Sequence, residues 1–416
     1  MPTTSRPSKA GTIILGAAAL ILTISVIAYP DVAFDASLNG LRIWFDVVLP
    51  ALLPFFAMSE IMIGLGVVHF MGVLVEPIMR PVFRIPGEGA FAVVMGLASG
   101  YPVGARITAR LYQEGMCNSV EGERLVSFAN TADPLFMIGA VAVGMFGLRS
   151  IGSTITIAHY ISVVLVGFLM RWHRPAAAST PPSRRKTRGG NMFSRALSAM
   201  HQARANDNRS LGQVFGDAVK DTFNALLFVG GCIMMFSVFT AVLTASGTID
   251  WLSTLLQKSL TLFGLNESLA PAVLKGIFEI TIGCQAASEA SASLLHRAVI
   301  ASAVIGWSGF SVHSQVAAMV QGTGIRLMPY IIARAMHGVL AAIVTYIIAI
   351  LNPSVLSSQA APTIGYSFIP AEGMTFLTVI SSASALAGKI ALVIAGLVFL
   401  AWILSKIKIV SFIVKD

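Results

Sequence analysis

Two apolar stretches long enough to cross a bilayer are broken in the middle by residues a helix does not run through. In 119–147, ERLVSFAN gives way to Thr131-Ala132-Asp133-Pro134 before an apolar run resumes. In 296–321 the interruption is Trp307-Ser308-Gly309, followed by Phe310-Ser311-Val312-His313-Ser314-Gln315. Proline removes a helical hydrogen bond, and Ser-Gly pairs favour turns. Lipid cannot satisfy the freed peptide groups, so such a break survives only where protein covers it or where it lines a polar cavity.

Composition agrees with a bilayer setting. Of 416 residues, 56% are hydrophobic and 11% charged, against about 25% charged in soluble domains. The chain reads as an all-α polytopic membrane protein. Its net charge of +9 (28 basic, 19 acidic) sits mostly beside apolar spans, which is a topology signal rather than a nucleic-acid surface, so no nucleic-acid partner is expected. Cys117, Cys232 and Cys284 are scattered and form neither a disulfide framework nor a metal motif. There is no HExxH, no GxSxG and no pair of aspartates on adjacent spans. We therefore expect no enzyme, no catalytic residue, no metal site and no cofactor beyond a coupling ion, Na+ or H+.

Charge and turn residues divide the chain into segments. Residues 1–42 read as a first transmembrane helix entering from the cytoplasm, then an external loop with Asp31, Asp35 and Arg42. Residues 43–171 contain a span with Pro50 and Pro54, a surface-lying amphipathic helix at 67–86, and a two-armed segment at 88–115. Each arm holds about 12 residues, roughly 18 Å of helix, half of what a bilayer core needs. With Ser99-Gly100-Tyr101-Pro102 between the arms, the segment reads as a re-entrant hairpin. A broken span and a plain span (151–170) follow. Residues 172–211 form a basic, Pro/Ser-containing linker with little to bury, expected to be disordered and cytoplasmic.

The programme then repeats over 212–351: a span (213–246), an amphipathic stretch (249–264), a hairpin starting at 267 with its tip at Ile282-Gly283-Cys284-Gln285, a broken span and a plain span (329–351). The first copy begins outside and the second inside, so the halves read as an inverted repeat. Arg326 and Arg334 serve as cytoplasmic markers. Residues 352–416 supply an external loop, a last span at 386–405 and a basic tail. The expectation is about eight crossings plus two hairpins, both termini cytoplasmic, in a bacterial cytoplasmic (inner) membrane.

Inverted repeats with broken helices mark secondary transporters. Half-helix N-termini suit anions, and carbonyl ends suit cations. The candidate solute- and ion-binding residues are Ser99, Gly100, Tyr101, Asn130, Thr131, Asp133, Glu279, Thr281, Gly283, Gln285, Ser308, Ser311, His313 and Gln315. Asp133 either couples an ion or caps the half-helix after it; Glu279 either faces the cavity or pairs with Lys275. His313 binds solute, carries a proton or satisfies a carbonyl, and Tyr101 stacks on a flat solute or plugs the tip. Arg106 and Arg110 read as interfacial anchors. A channel or a structural envelope protein is the alternative to a carrier.

At these residues a family resemblance emerges. GLASGYPVGARI, ERLVSFANTADPLFMIGAVAVGMF, FEITIGC and GFSVHSQVAAMVQGTGIRLMPYIIARAMHGVLAA resemble the sporulation integral membrane protein (YlbJ-like) family, which contains the nucleoside-recognition, or Gate, domain. The resemblance spans roughly 40–350. It implies a plan similar to concentrative nucleoside transporters, with paired hairpins, broken helices and often trimeric assembly. It also implies a small-molecule solute held between the tips and breaks, either nucleoside-like or an aromatic carboxylate such as dipicolinate, the solute associated with the sporulation branch.

Overall fold

The computed structural model describes residues 9–181 and 191–353. Among them every regular element is helical. The N-terminal apolar run forms α1 (Lys9–Ala28). The segment after it, expected to be an external loop, is instead a helix, α2 (Pro30–Ile43), turned by 102° from α1. Pro30 at its start and Asp31 in its first turn are helix-start signals. Gly40 lets it lie against a later helix, where a Cβ would come within 2.9 Å of Met234 Cα. Helix α2 runs through a widened turn at Trp44–Val48 into α3 (Leu49–Gly64). Pro50 and Pro54 cannot donate to the ladder, and the wide turn makes room for the first of them.

At Gly66, with φ +78°, the chain bends by 83° into α4 (Val67–Phe83). Next come two short helices, α5 (Gly89–Ser99) and α6 (Val103–Gln113), joined at Gly100-Tyr101-Pro102 where a turn was expected. Helix α7 (Ser119–Ala129) begins with a capping box between Asn118 and Glu121 and stops at Asn130. The chain re-enters a wide-turned helix at Leu135–Met145 and continues into α8 (Arg149–Met170). Every residue of α7 from Val120 to Ala129 is buried, Glu121, Glu123 and Arg124 among them.

Part of the linker is ordered, contrary to expectation. Helix α9 (Met192–Asn206), capped by Asn191, packs against α4. Phe193 meets Phe70 edge-on at 5.6 Å, and Ala196 and Ala199 are buried. The apolar residues of FSRALSAM recur at helical spacing, which supplies the burial that a disordered reading denies it. Arg204, Arg209 and Asp207 then tie the turn into α10, with Arg209 Nη2 2.8 Å from Asp207 Oδ2.

The second half runs α10 (Leu211–Ala245), α11 (Thr248–Leu262), α12 (Ala270–Phe278), α13 (Ile280–Glu289), α14 (Leu294–Trp307), α15 (Gly309–Met319) and α16 (Leu327–Leu351). Long helix, shorter helix, short pair, broken helix, long helix: the order of the first half recurs. One boundary moves. The break in the second short pair lies at Glu279, in extended backbone, so Ile282, Gly283, Cys284 and Gln285 sit inside α13 rather than at a tip. Glycine at 283 serves close packing, since a Cβ there would collide with Gly276 of α12. Among the described residues four helices are long and apolar enough to span a membrane, six if each bent pair counts as one span. The expected span at 386–405, with the loop before it, lies outside the described residues.

Candidate functional site

The interruptions of both halves come together. In the first half, Gly96 and Gly104 flank the tip, and a Cβ at either would collide with the carbonyl of Ala129, the last residue of α7. Gly100, with φ +78°, lies against the carboxylate of Asp133. In the second half, Gly309 follows the break at Ser308, and a Cβ there would sit 3.2 Å from Glu279 Cα. Each short pair thus packs its break onto the break of the neighbouring broken helix. The two halves meet where the Tyr101 hydroxyl donates to the Ile305 carbonyl at 2.8 Å.

At that meeting point stands a residue expected to mark the cytoplasmic side. Arg334, on α16, is fully buried. Its Nη1 donates to the Asn130 carbonyl at 3.1 Å, and its Nη2 to the Tyr101 hydroxyl at 2.8 Å and the Ile305 carbonyl at 3.3 Å. The guanidinium lies 5.4 Å from the centre of the Tyr101 ring. Among the described residues it forms no ion pair with a carboxylate. A buried charge without such a partner is costly, so dipoles must supply the compensation. The sequence signal was present: an arginine eight residues into a long apolar helix is a functional candidate by position.

Two histidines flank it. His159 Nε2 lies 2.6 Å from Thr131 Oγ1 and accepts from the Ala132 N–H at 3.3 Å. Those contacts assign the proton to Nδ1. His337 Nε2 faces the His159 carbonyl at 3.2 Å, and the two rings lie 4.4 Å apart. Asn130 Nδ2 donates to the Tyr330 hydroxyl at 3.0 Å. His313 packs its ring on Tyr330 at 5.4 Å and turns Nε2 to the Trp307 carbonyl at 3.0 Å. Buried polar atoms without a partner among the described residues gather here: Ser99 Oγ, Asn130 Oδ1, Arg334 Nε, and Nδ1 of His159, His313 and His337. Such atoms call for explanation in a folded protein.

The remaining candidates divide. Asp133 caps the helix after it, with Oδ1 accepting from the Phe136 N–H at 3.0 Å. Glu279, buried, caps α13 through the Ile282 N–H at 2.8 Å instead of pairing with Lys275. Thr281 lies in the first turn of α13, beside that carboxylate. Ser308 takes a left-handed backbone at φ 73° and turns its hydroxyl to the Trp307 carbonyl. Ser311 and Gln315 are buried and meet at 3.5 Å. Gln285 stands apart, exposed and bonded to Glu289. Arg106 pairs with Glu60 at 3.0 Å and Arg110 with Glu114 at 2.9 Å. A groove of about 360 Å³ opens beside His313, but Phe236, Phe239, Phe278 and Phe310 make its walls apolar, so the polar chemistry lies in the buried network.

Fold and site define an all-helical integral membrane protein whose broken helices meet around a buried polar centre. The family described as nucleoside recognition (Gate) matches residues 45–170 and 226–326. The sporulation integral membrane protein YlbJ of Bacillus subtilis (strain 168) is 46% identical over 336 residues, 81% of this chain and 82% of that protein. An uncharacterized protein of Alkalihalophilus pseudofirmus is 26% identical over 163 residues, 38% of this chain and 34% of its own length. Among solved structures, CNTnw in an outward-facing state aligns with a TM-score of 0.41 at 15% identity, covering 83% of this chain and 88% of that one. The chain belongs to the Gate nucleoside-recognition family, and within it to the YlbJ-like sporulation membrane proteins.

Proposed function

We propose that this protein is a secondary active carrier that moves a small polar or anionic solute, nucleoside-like or an aromatic carboxylate such as dipicolinate, by alternating access. The observation that supports this reading is the convergence of breaks from both halves on one network, through Tyr101, Asn130 and Arg334. Unwound peptide at mid-depth supplies directional donors and acceptors, and two halves that meet across it can rock about it. The coupling ion is Na+ or H+, with Asp133 and Glu279 as its candidate carriers. No bond is made or broken in the solute, so the protein is not an enzyme. We place it in the cytoplasmic (inner) membrane with its basic linker on the cytoplasmic side, able to assemble with copies of itself.

Uptake by purified protein in liposomes tests this. Radiolabelled uridine and pyridine-2,6-dicarboxylate are offered with a Na+ gradient, a proton gradient or neither. Saturable uptake of one of them, abolished by Asn130→Leu while the protein remains folded, is the expected result. Flux that never saturates would make the protein a channel. No flux of either solute, from protein whose thermal unfolding shows it intact, would leave a structural role and end the carrier reading for these solutes.

A further inference from the structure

We propose that Arg334 is a tethered cation filling the site that two half-helix C-termini create, so that the centre is charge-balanced without bound Na+. Helix α7 ends at Ala129 and its capping residue Asn130 offers a carbonyl; α14 ends at Trp307 and Ile305 lies in its last turn. Both carbonyls accept from the one guanidinium, at 3.1 and 3.3 Å. A helix C-terminus carries roughly half a negative charge, so two of them sum to about one, which the single arginine cancels. This accounts for a fully buried guanidinium with no carboxylate at hand among the described residues.

Carbonyl ends meeting at mid-membrane are the arrangement that elsewhere holds a free cation. Here the side chain of α16 occupies it, and Tyr101 fastens the first short pair to the same group. Two helix N-termini beside these breaks are met by side chains of the chain as well: Asp133 caps the helix that follows the α7 break, and Glu279 caps α13. Side chains of the chain itself thus meet the free backbone groups at four helix ends, a guanidinium at two carbonyl ends and hydrogen-bond acceptors at two N–H ends. The consequence for coupling rests on the carrier reading and narrows it: a proton, not Na+, drives transport. The charge balance does not depend on transport at all.

Thermal unfolding of the detergent-solubilised full chain separates the two. Replacing NaCl by choline chloride at constant ionic strength should move the wild-type midpoint by no more than about 1 °C, because a ligand stabilises only by mass action on a site it can enter. Arg334→Ala should lower the midpoint by about 5 °C or more, and guanidinium chloride at about 50 mM should return half of that loss or more where choline returns none. Arg334→Lys should unfold above Arg334→Gln, a comparison that also serves if the alanine variant does not fold. Saturable stabilisation of the wild type by Na+, an alanine variant as stable as wild type, or lysine no better than glutamine would each overturn the proposal. In liposomes, uptake should be equal in Na+ and choline. Absence of any uptake would count against the carrier reading while the unfolding data still decide the role of Arg334.

Discussion

Asp133 and Glu279 are carboxylates whose visible work is to accept backbone N–H groups, from Phe136 and Ile282. An amide oxygen accepts equally well, so Asp133→Asn and Glu279→Gln should unfold within a degree or two of wild type. The alanine variants lose the acceptor and should cost about 1 kcal/mol each, the usual value of a cap. Thermal midpoints in detergent check this, and an amide variant that unfolds as early as its alanine counterpart would show that charge, not the cap, holds the break. The distinction matters for coupling: if either carboxyl carries the proton, its amide variant keeps the fold and loses gradient-driven uptake. Glycines give a sharper contrast. A Cβ at Gly104 would press into the Ala129 carbonyl, whereas one at Gly216 meets nothing within 4 Å. Gly104→Ala should therefore cost about 1–3 kcal/mol through overpacking, and Gly216→Ala, in the second turn of α10, should be neutral or stabilising by up to about 1 kcal/mol. Comparing the two unfolding midpoints checks both signs.

Breaks that carry their own turn chemistry are legible in the sequence at element scale. Gly100-Tyr101-Pro102, Thr131–Pro134 and Ser308-Gly309 all interrupt helices where residue type demands it. The break at Glu279 is not legible, because no Gly or Pro stands at it; Gly283, four residues on, draws attention to the wrong place and serves the α12–α13 contact. What sets that break is the capping acceptor together with packing against Gly309, a contact thirty residues away. Arg334 shows the same limit for the site. Its position in the span was readable, but the carbonyls it joins come from residues 130 and 305, which periodicity cannot bring together. The linker shows a third case, a helix whose stability comes from docking on α4. Its end is held by Asp207, whose carboxyl the hydrogen-bonded Arg209 keeps down at about 2. The lowered value means that this contribution is complete above the ordinary aspartate range and fades only as pH falls from about 4 toward 2. At neutral pH Asp207→Asn should loosen the turn, and trypsin should cut between residues 191 and 211 several-fold faster than in wild type. Unchanged cleavage would mean that α9 is held by its apolar face alone.

At the scale of the whole molecule, the two halves are also joined at one end by a polar clasp whose members differ in exposure. Glu123 on α7 is 2% exposed and Arg326, before α16, is 51% exposed, with 2.6 Å between Nε and Oε1. His173 holds the other carboxylate oxygen at 2.7 Å. Ile325 fills the space above Gly122, and Gly324 lies against the Tyr112 hydroxyl, so the loop that carries Arg326 covers the start of the first broken helix. The alternating-access cycle proposed above would have to open such a cover. Removing one partner is not equivalent to removing the other. Arg326→Gln leaves a buried carboxylate with no cation but His173 beside it and only the residue-326 backbone N–H, 3.2 Å from Oε1, kept from the old partner; loss of a hydrogen-bonded buried charge partner costs about 2 kcal/mol or more. Glu123→Gln leaves no buried charge behind, since the Arg326 guanidinium already reaches solvent, and should cost about 1 kcal/mol or less. The double variant should therefore be more stable than Arg326→Gln alone, an inversion of ordinary additivity that arises only if the cost is the stranded charge. Unfolding midpoints of the three proteins decide it: a double variant no more stable than Arg326→Gln would mean that the cost is the lost attraction itself and not a stranded charge.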